Sequence, residues 1–175
     1  MRSLQKVAIA LGSNLGDRLA TLISAAQKLQ EDVISEAVMS SVYESPPWGP
    51  IPDQPPFLNA VIVGNCEWKP PALVSYLKSL EREMGRSSGL KYGPRVLDVD
   101  LIAVGDEVWK SEGVEVPHPR MTERDFVLLP LQEVWPTWVH PTLGKDVPTL
   151  LQQHLKTQPS SAKVFSAPPL NIANR

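Results

Sequence analysis

The sequence predicts an α+β fold: a mainly antiparallel sheet with helices packed on it, in a ferredoxin-like split βαβ sandwich. Three observations predict it. Apolar helical stripes and short β-branched runs follow one another as strand, helix, strand, strand, helix, strand. The chain has 175 residues, little more than one domain of about 150. Hydrophobic residues make up 42% and charged residues 21%, a globular balance that excludes disordered and fibrous classes.

The elements follow in order. Lys6 to Leu11 is a short apolar strand, and Gly12 to Asp17 is a turn. Leu19, Leu22, Ile23, Ala26 and Leu29 lie on one face of a helix from Arg18 to Glu31. Val33 to Glu44 alternates loosely and is β-branched, which predicts one strand. Of the 18 prolines, about twice the usual share, six fall between Pro46 and Pro56. Proline lacks the donor a central strand needs, so Ser45 to Pro56 is a stiffened surface loop. Phe57 to Cys66 is the next strand. Pro70 and Pro71 open a second helix, which buries Leu73, Leu77, Leu80 and Met84 and stops at Gly85.

A polar loop from Arg86 to Pro94 leads to a strand from Arg95 to Val104. A further strand at Glu107 to Trp109 is expected to pair with it. Thr122 to Val134 is expected to be helical, with Thr122 and Asp125 spaced as a capping pair. A short helix follows from Val147 to Leu155. Residues 1–157 are expected to form one domain, and 158–175 a tail that is disordered or draped over the surface.

Composition narrows function further. The net charge is −2 and the pI about 5.9, against the basic balance of a non-specific nucleic-acid binder. The single cysteine, Cys66, leaves no disulfide or CxxC metal site and reads as a buried thiol. No apolar run reaches the ~18 residues of a membrane span. The expectation from composition is a soluble cytoplasmic protein with neither nucleic acid nor membrane as partner.

The sharpest chemical feature is Asp98-Val99-Asp100. Alternate residues of a strand share a face, so both carboxylates point one way. Adjacent carboxylates repel unless a cation lies between them. Magnesium suits such a pair, because it binds through one or two carboxylates plus substrate phosphates. A solvated strand face is the plain alternative. Lys91, Tyr92 and Arg95 lie just upstream, and 8 of the 17 Lys+Arg cluster between Lys78 and Arg124. Cations beside a metal-binding pair suit a bridging polyanion. His118 is held between Pro117 and Pro119, so its direction is stiffened and it can donate or titrate.

Gly12 to Asp17 lacks the phosphate-loop and dinucleotide patterns. It is either a plain turn or a turn whose amides and Asn14 line a pocket. Trp48, Phe57 and Asn59 bracket the proline loop. Aromatics can sandwich a flat heterocycle while an amide reads its edge, although a core Phe and a surface Trp serve as well.

Taken together, these segments resemble the 6-hydroxymethyl-7,8-dihydropterin pyrophosphokinases of folate biosynthesis. The resemblance runs from Ala8 to Gly16, through Tyr43 to Gly49 and Asp53 to Asn59, to Leu80-Glu81-Arg82 and Gly85-Arg86. It continues through Lys91 to Ile102, Val116 to Met121 and Arg124 to Leu131. The segment Gly93-Pro94-Arg95-Val96-Leu97-Asp98-Val99-Asp100 is its most specific part. It implies transfer of pyrophosphate from ATP, a substrate, to the pterin hydroxymethyl group, with release of AMP.

Two Mg²⁺ ions would be held by Asp98 and Asp100. The pterin pocket would comprise Gly12, Ser45, Pro46, Pro47, Trp48, Phe57, Asn59, Asp98 and Phe126, with the ring stacked between Phe57 and Phe126. The ATP side would comprise Glu81, Arg86, Lys91, Tyr92, Arg95, Asp98, Asp100, Leu101, His118 and Arg124. Arg86, Lys91, Arg95, Asp98 and Asp100 would carry catalysis. The loops at 12–17, 45–56 and 86–92 would close over the substrates and exclude water. No second folate enzyme is fused, so one activity is expected. An RNA-recognition module shares the element order, but it stacks bases on strand aromatics, where this chain offers two aspartates. A scaffold of the same fold without turnover is the other alternative.

Overall fold

The computed structural model describes residues 3–85 and 91–169. Its core is the predicted α+β architecture. Strand β1 (Gln5–Ser13) pairs antiparallel with β4 (Phe57–Cys66) on one side and β5 (Asp98–Val104) on the other. On the far edge of β4 lie β2 (Ser35–Met39) and β3 (Val42–Ser45). The order β5-β1-β4-β3 is that of a split βαβ sheet whose second strand comes in two pieces.

Helices cover both faces. On one, α1 (Arg18–Asp32) and α2 (Pro70–Glu83) bury Leu22, Leu29, Leu73, Leu77 and Leu80 against Val7, Ile9, Leu11, Val99 and Leu101. On the other, α3 (Asp125–Val134) and α4 (Val147–Thr157) bury Val127, Leu128, Leu131 and Leu150 against Ala8, Val61, Val63 and Ile102. Asp17 caps α1, its carboxylate accepting from Ala20 N at 3.1 Å. Gly85 ends α2 at φ +98°, a left-handed conformation that suits glycine. Among the described residues no helix is long and apolar enough to cross a membrane.

Several local expectations are corrected. The strand expected over Val33 to Glu44 is broken at Ser40. The Ser40 hydroxyl accepts from Val61 N at 2.9 Å, replacing a ladder bond with a side-chain bond. The strand expected from Arg95 begins at Asp98 instead. Arg95 is diverted because its N–H donates to Asn14 Oδ1 at 2.7 Å and its carbonyl accepts from Asn14 N at 3.0 Å. The strand expected to pair with β5 is β6 (Trp109–Ser111), and it forms a separate hairpin with β7 (Val114–Val116).

The helix expected from Thr122 is a 3₁₀ turn at Met121–Glu123, followed by α3 from Asp125. Thr122 and Asp125 are not a capping pair, because Asp125 is engaged by residues 160–162. Within the segment expected to be a tail, β8 (Lys163–Ser166) adds an antiparallel strand to the outer edge of β3, and residues 170–175 lie outside the described residues.

Candidate active site

Strand register builds the site's floor. Asp98 pairs with Gly12 and Asp100 with Ala10, while Val99 pairs with Leu11. The valine faces the α1/α2 core, so both carboxylates face the α3 side over two small neighbours. A β-bulge at Ile102 separates the Ile9–Leu101 pair from the Ala8–Ala103 pair. The Ile102 carbonyl accepts from His118 N at 2.9 Å, which brings the Pro117-His118-Pro119 segment beside the carboxylates.

Two cavities meet at this floor. The first, of about 280 Å³, is lined by Gly12, Ser45, Trp48, Phe57, Asn59 and Phe126, with Lys91, Tyr92, Arg95 and Arg124 on its cationic side. The second, of about 420 Å³, is lined by Leu77, Lys78, Glu81, Leu101 and Glu115, among others. Asp98, Asp100 and His118 belong to both. Pro46 also lines the first cavity, whereas Pro47 lines neither. Arg86 lies outside the described residues. The residues expected on the pterin side, Pro47 excepted, line the first cavity, whereas those expected on the ATP side divide: Lys91, Tyr92, Arg95 and Arg124 line the first, Glu81 and Leu101 the second, and Asp98, Asp100 and His118 both.

The aromatic compartment is shaped for a flat ligand. Asn59, buried near the start of β4, donates to Ser45 Oγ at 2.8 Å and to the Tyr43 carbonyl at 3.3 Å. Its oxygen is turned towards Gly12, 3.6 Å from where a Cβ on that glycine would stand. The same Cβ would lie 3.5 Å from the Phe57 ring, so a glycine here keeps the floor open. Trp48 does not stand ready as a second stacking wall. The Arg124 guanidinium lies 4.5 Å from its ring centroid, Arg120 lies at 5.3 Å, and Tyr92 meets it edge-on. Trp48 instead backs the cations.

Three loops are tied together above the floor. Asn14 donates to Gln54 Oε1 at 3.2 Å and to the Pro55 carbonyl at 3.1 Å. Gln54 donates to the Tyr92 carbonyl at 2.6 Å. Asn14 therefore joins the first turn, the proline loop and the Arg95 segment, rather than lining the cavity. Sequence reasoning missed Gln54 and Arg120. Arg120 donates to the Tyr92 hydroxyl, and only its place beside His118 could have flagged it.

Charge is arranged around the carboxylates. Arg124 Nη1 lies 3.7 Å from Asp100 Oδ2. Glu81, also buried, accepts from Val99 N at 2.8 Å and so braces β5 between the two aspartates. Two carboxylates on one face, bordered by cations, fit magnesium brought in with a polyphosphate that supplies its remaining ligands. Among the described residues no cluster of three or more His, Cys, Asp or Glu side chains could hold a metal without such a partner.

Burial, reinforced by Arg124 and Arg120, pushes the His118 imidazole down to about 4. His118 Nδ1 accepts from Arg120 N at 3.1 Å, which places the neutral ring's proton on Nε2 as a donor. In the free chain, an NMR titration should find the His118 midpoint well below 6.5. The folded-state value is below the unfolded one, so this histidine's stabilising contribution is present above about pH 6.5 and is lost as the pH falls towards 4. A midpoint at or above 6.5 would show that neither burial nor the arginines govern the ring.

Comparison with known proteins identifies the relatives of the chain. A model of the 7,8-dihydro-6-hydroxymethylpterin-pyrophosphokinase (HPPK) family matches residues 8–136. The chain is 40% identical over 141 residues to the 2-amino-4-hydroxy-6-hydroxymethyldihydropteridine pyrophosphokinase of Aquifex aeolicus, covering 81% of this chain and 87% of that one. It is 42% identical over 140 residues to the identically named protein of Porphyromonas gingivalis, covering 77% and 93%. A crystal structure of Plasmodium falciparum HPPK-DHPS with pteroate has the same fold, with a TM-score of 0.71 at 14% identity. That match spans 94% of this chain and 46% of the longer one.

Proposed function

The chain belongs to the 7,8-dihydro-6-hydroxymethylpterin-pyrophosphokinase family, and on that premise we propose that it moves pyrophosphate from ATP to the hydroxymethyl oxygen of 6-hydroxymethyl-7,8-dihydropterin. The hydroxymethyl oxygen attacks the β-phosphorus, and the bond from that phosphorus to the oxygen bridging to the α-phosphate breaks. AMP leaves with that oxygen. The observation that carries this reading is the pair of cavities meeting at Asp98, Asp100 and His118. It supports an acceptor site in the first cavity and a nucleotide site in the second, with the phosphates between them over one carboxylate pair.

In the acceptor compartment, Phe57 and Phe126 provide faces for the pterin ring. Asn59 and Ser45 meet its hydrogen-bonding edge. At the junction, Lys91, Arg95 and Arg124 on the cationic side of the first cavity hold phosphate oxygens, and His118, which lines both cavities, donates from Nε2. Two Mg²⁺ held by Asp98 and Asp100 would neutralise charge developing on the phosphates and align the displacement. Most of the catalysis then lies in positioning. The tied loops support exclusion of water, the competing nucleophile. The hydroxyl proton passes to solvent or to an aspartate in the floor, so no strong base is required. A single chain supplies both compartments, which supports a monomer, and its substrates suit a cytoplasmic enzyme of folate biosynthesis.

Product analysis with Mg²⁺, ATP and 6-hydroxymethyl-7,8-dihydropterin tests this. The expected result is AMP formed one-for-one with pterin diphosphate. ADP would mean attack on the wrong phosphorus. A folded sample with no pterin-dependent turnover would favour a scaffold.

A further inference from the structure

We propose that the segment from Ser160 to Ser166 is a clasp that positions the pterin-side wall of the cavity, and that Asp125 is the positioning residue through which it acts. This rests on the reading of that cavity as the acceptor compartment. The segment lies outside the residues matched by the family model, 8–136.

Asp125 stands between Arg124 and Phe126, both of which line the cavity. Its own carboxylate turns away into a buried contact with the tail. It accepts from Ser161 N at 2.6 Å, Ala162 N at 2.9 Å, Ser161 Oγ at 2.9 Å and Ser160 Oγ at 3.2 Å. Burial raises this carboxyl, but those backbone and hydroxyl donors outweigh it and hold the group below its ordinary value. Successive residues in a helix point ~100° apart. Anchoring Asp125, the first residue of α3, on the tail side therefore sets the direction of Phe126, and it fixes the point at which Arg124, the extended N-cap residue, enters the helix.

The same segment grips the opposite wall. From Ala162 the chain enters β8, where Lys163 pairs with Glu44 and Val164 with Tyr43. The next residue of β3 is Ser45, which accepts from Asn59 in the cavity. Beyond it, Arg18 lies 5.8 Å from the Phe165 ring and donates to Glu44 and to the Pro56 carbonyl, each at 3.0 Å. One short segment thus spans the start of α3, the end of β3 and the foot of the proline loop. A segment that only covered apolar surface would not need four hydrogen bonds on one buried carboxylate.

The test uses the full chain with Asp125→Ala, the double variant Ser160→Ala/Ser161→Ala, and all three changes combined. Hydrogen bonds to a charged group are strong enough for the pterin KM to rise about tenfold in Asp125→Ala and roughly threefold in the serine variant. Because they act through one contact, the combined variant should be no worse than Asp125→Ala alone. Hydrogen exchange gives a readout independent of activity. The Val127 and Leu128 amides, both bonded to the Arg124 carbonyl at 3.1 Å, should exchange about tenfold faster in the serine variant.

Unchanged exchange there, or a lowered Tm with unaltered KM and kcat, would overturn the clasp. Fully additive effects would overturn Asp125 as its intermediary. If Asp125→Ala does not fold, the serine variant, changed only in the exposed tail, carries the test. If the unaltered chain shows no pterin turnover, the functional reading fails, and exchange still decides whether the tail orders α3.

Discussion

Asp100→Asn should lower turnover about a thousandfold while the protein stays folded. The side chain lies on the strand face shared with Asp98, at the junction of the two cavities. The substitution keeps volume and removes the charge that would hold magnesium against the phosphates. A loss of about 4 kcal/mol of transition-state stabilisation gives that factor. Little stability is at stake. The Asp100 side chain is 36% exposed and its ion pair with Arg124 is 3.7 Å long, a contact worth ~0–1 kcal/mol. Steady-state kinetics over a range of Mg²⁺, with a melting curve alongside, decides the matter. Near-normal kcat at ordinary Mg²⁺ would remove Asp100 from the metal site.

Phe57→Ala should weaken pterin binding roughly thirtyfold and leave ATP binding nearly unchanged. Phe57 opens β4 at the rim of the aromatic compartment and does not line the second cavity. Stacking of a flat heterocycle on an aromatic ring is worth ~1–3 kcal/mol, and about 2 kcal/mol corresponds to that factor. The ring is only partly buried, so its loss leaves no large core cavity. Calorimetric titration with each ligand separates the effects. Equal weakening of both would point to a disturbed sheet instead of a lost stacking face.

These two residues were legible because each depends on a local rule. Strand alternation puts Asp98 and Asp100 on one face whatever surrounds them. The proline run excludes a central strand and leaves Phe57 and Asn59 at the loop's far end. Arg95 was misplaced because a propensity argument cannot see Asn14, 81 residues away, taking over its backbone bonds. The break at Ser40 was missed for the same reason: its hydroxyl substitutes for a ladder bond only once β4 lies alongside. The residues alone leave Trp48 either a stacking face or a surface side chain, because the arginines that meet it, Arg120 and Arg124, come from distant segments.

The order of the main elements, the apolar faces they bury and the pairing of two carboxylates on one strand face can be read from the residues alone. Those follow from periodicity, from proline and glycine geometry, and from charge spacing, all of which act over a few residues. Folding in three dimensions sets the carboxylates at the junction of two compartments, lets Asn14 and Gln54 tie three loops, and turns residues 163–166 into β8 while 160–162 anchor on Asp125. Each of those is a hydrogen bond or contact between groups tens of residues apart. Such contacts exist only after the sheet has formed and the cost of closing the intervening loops has been met.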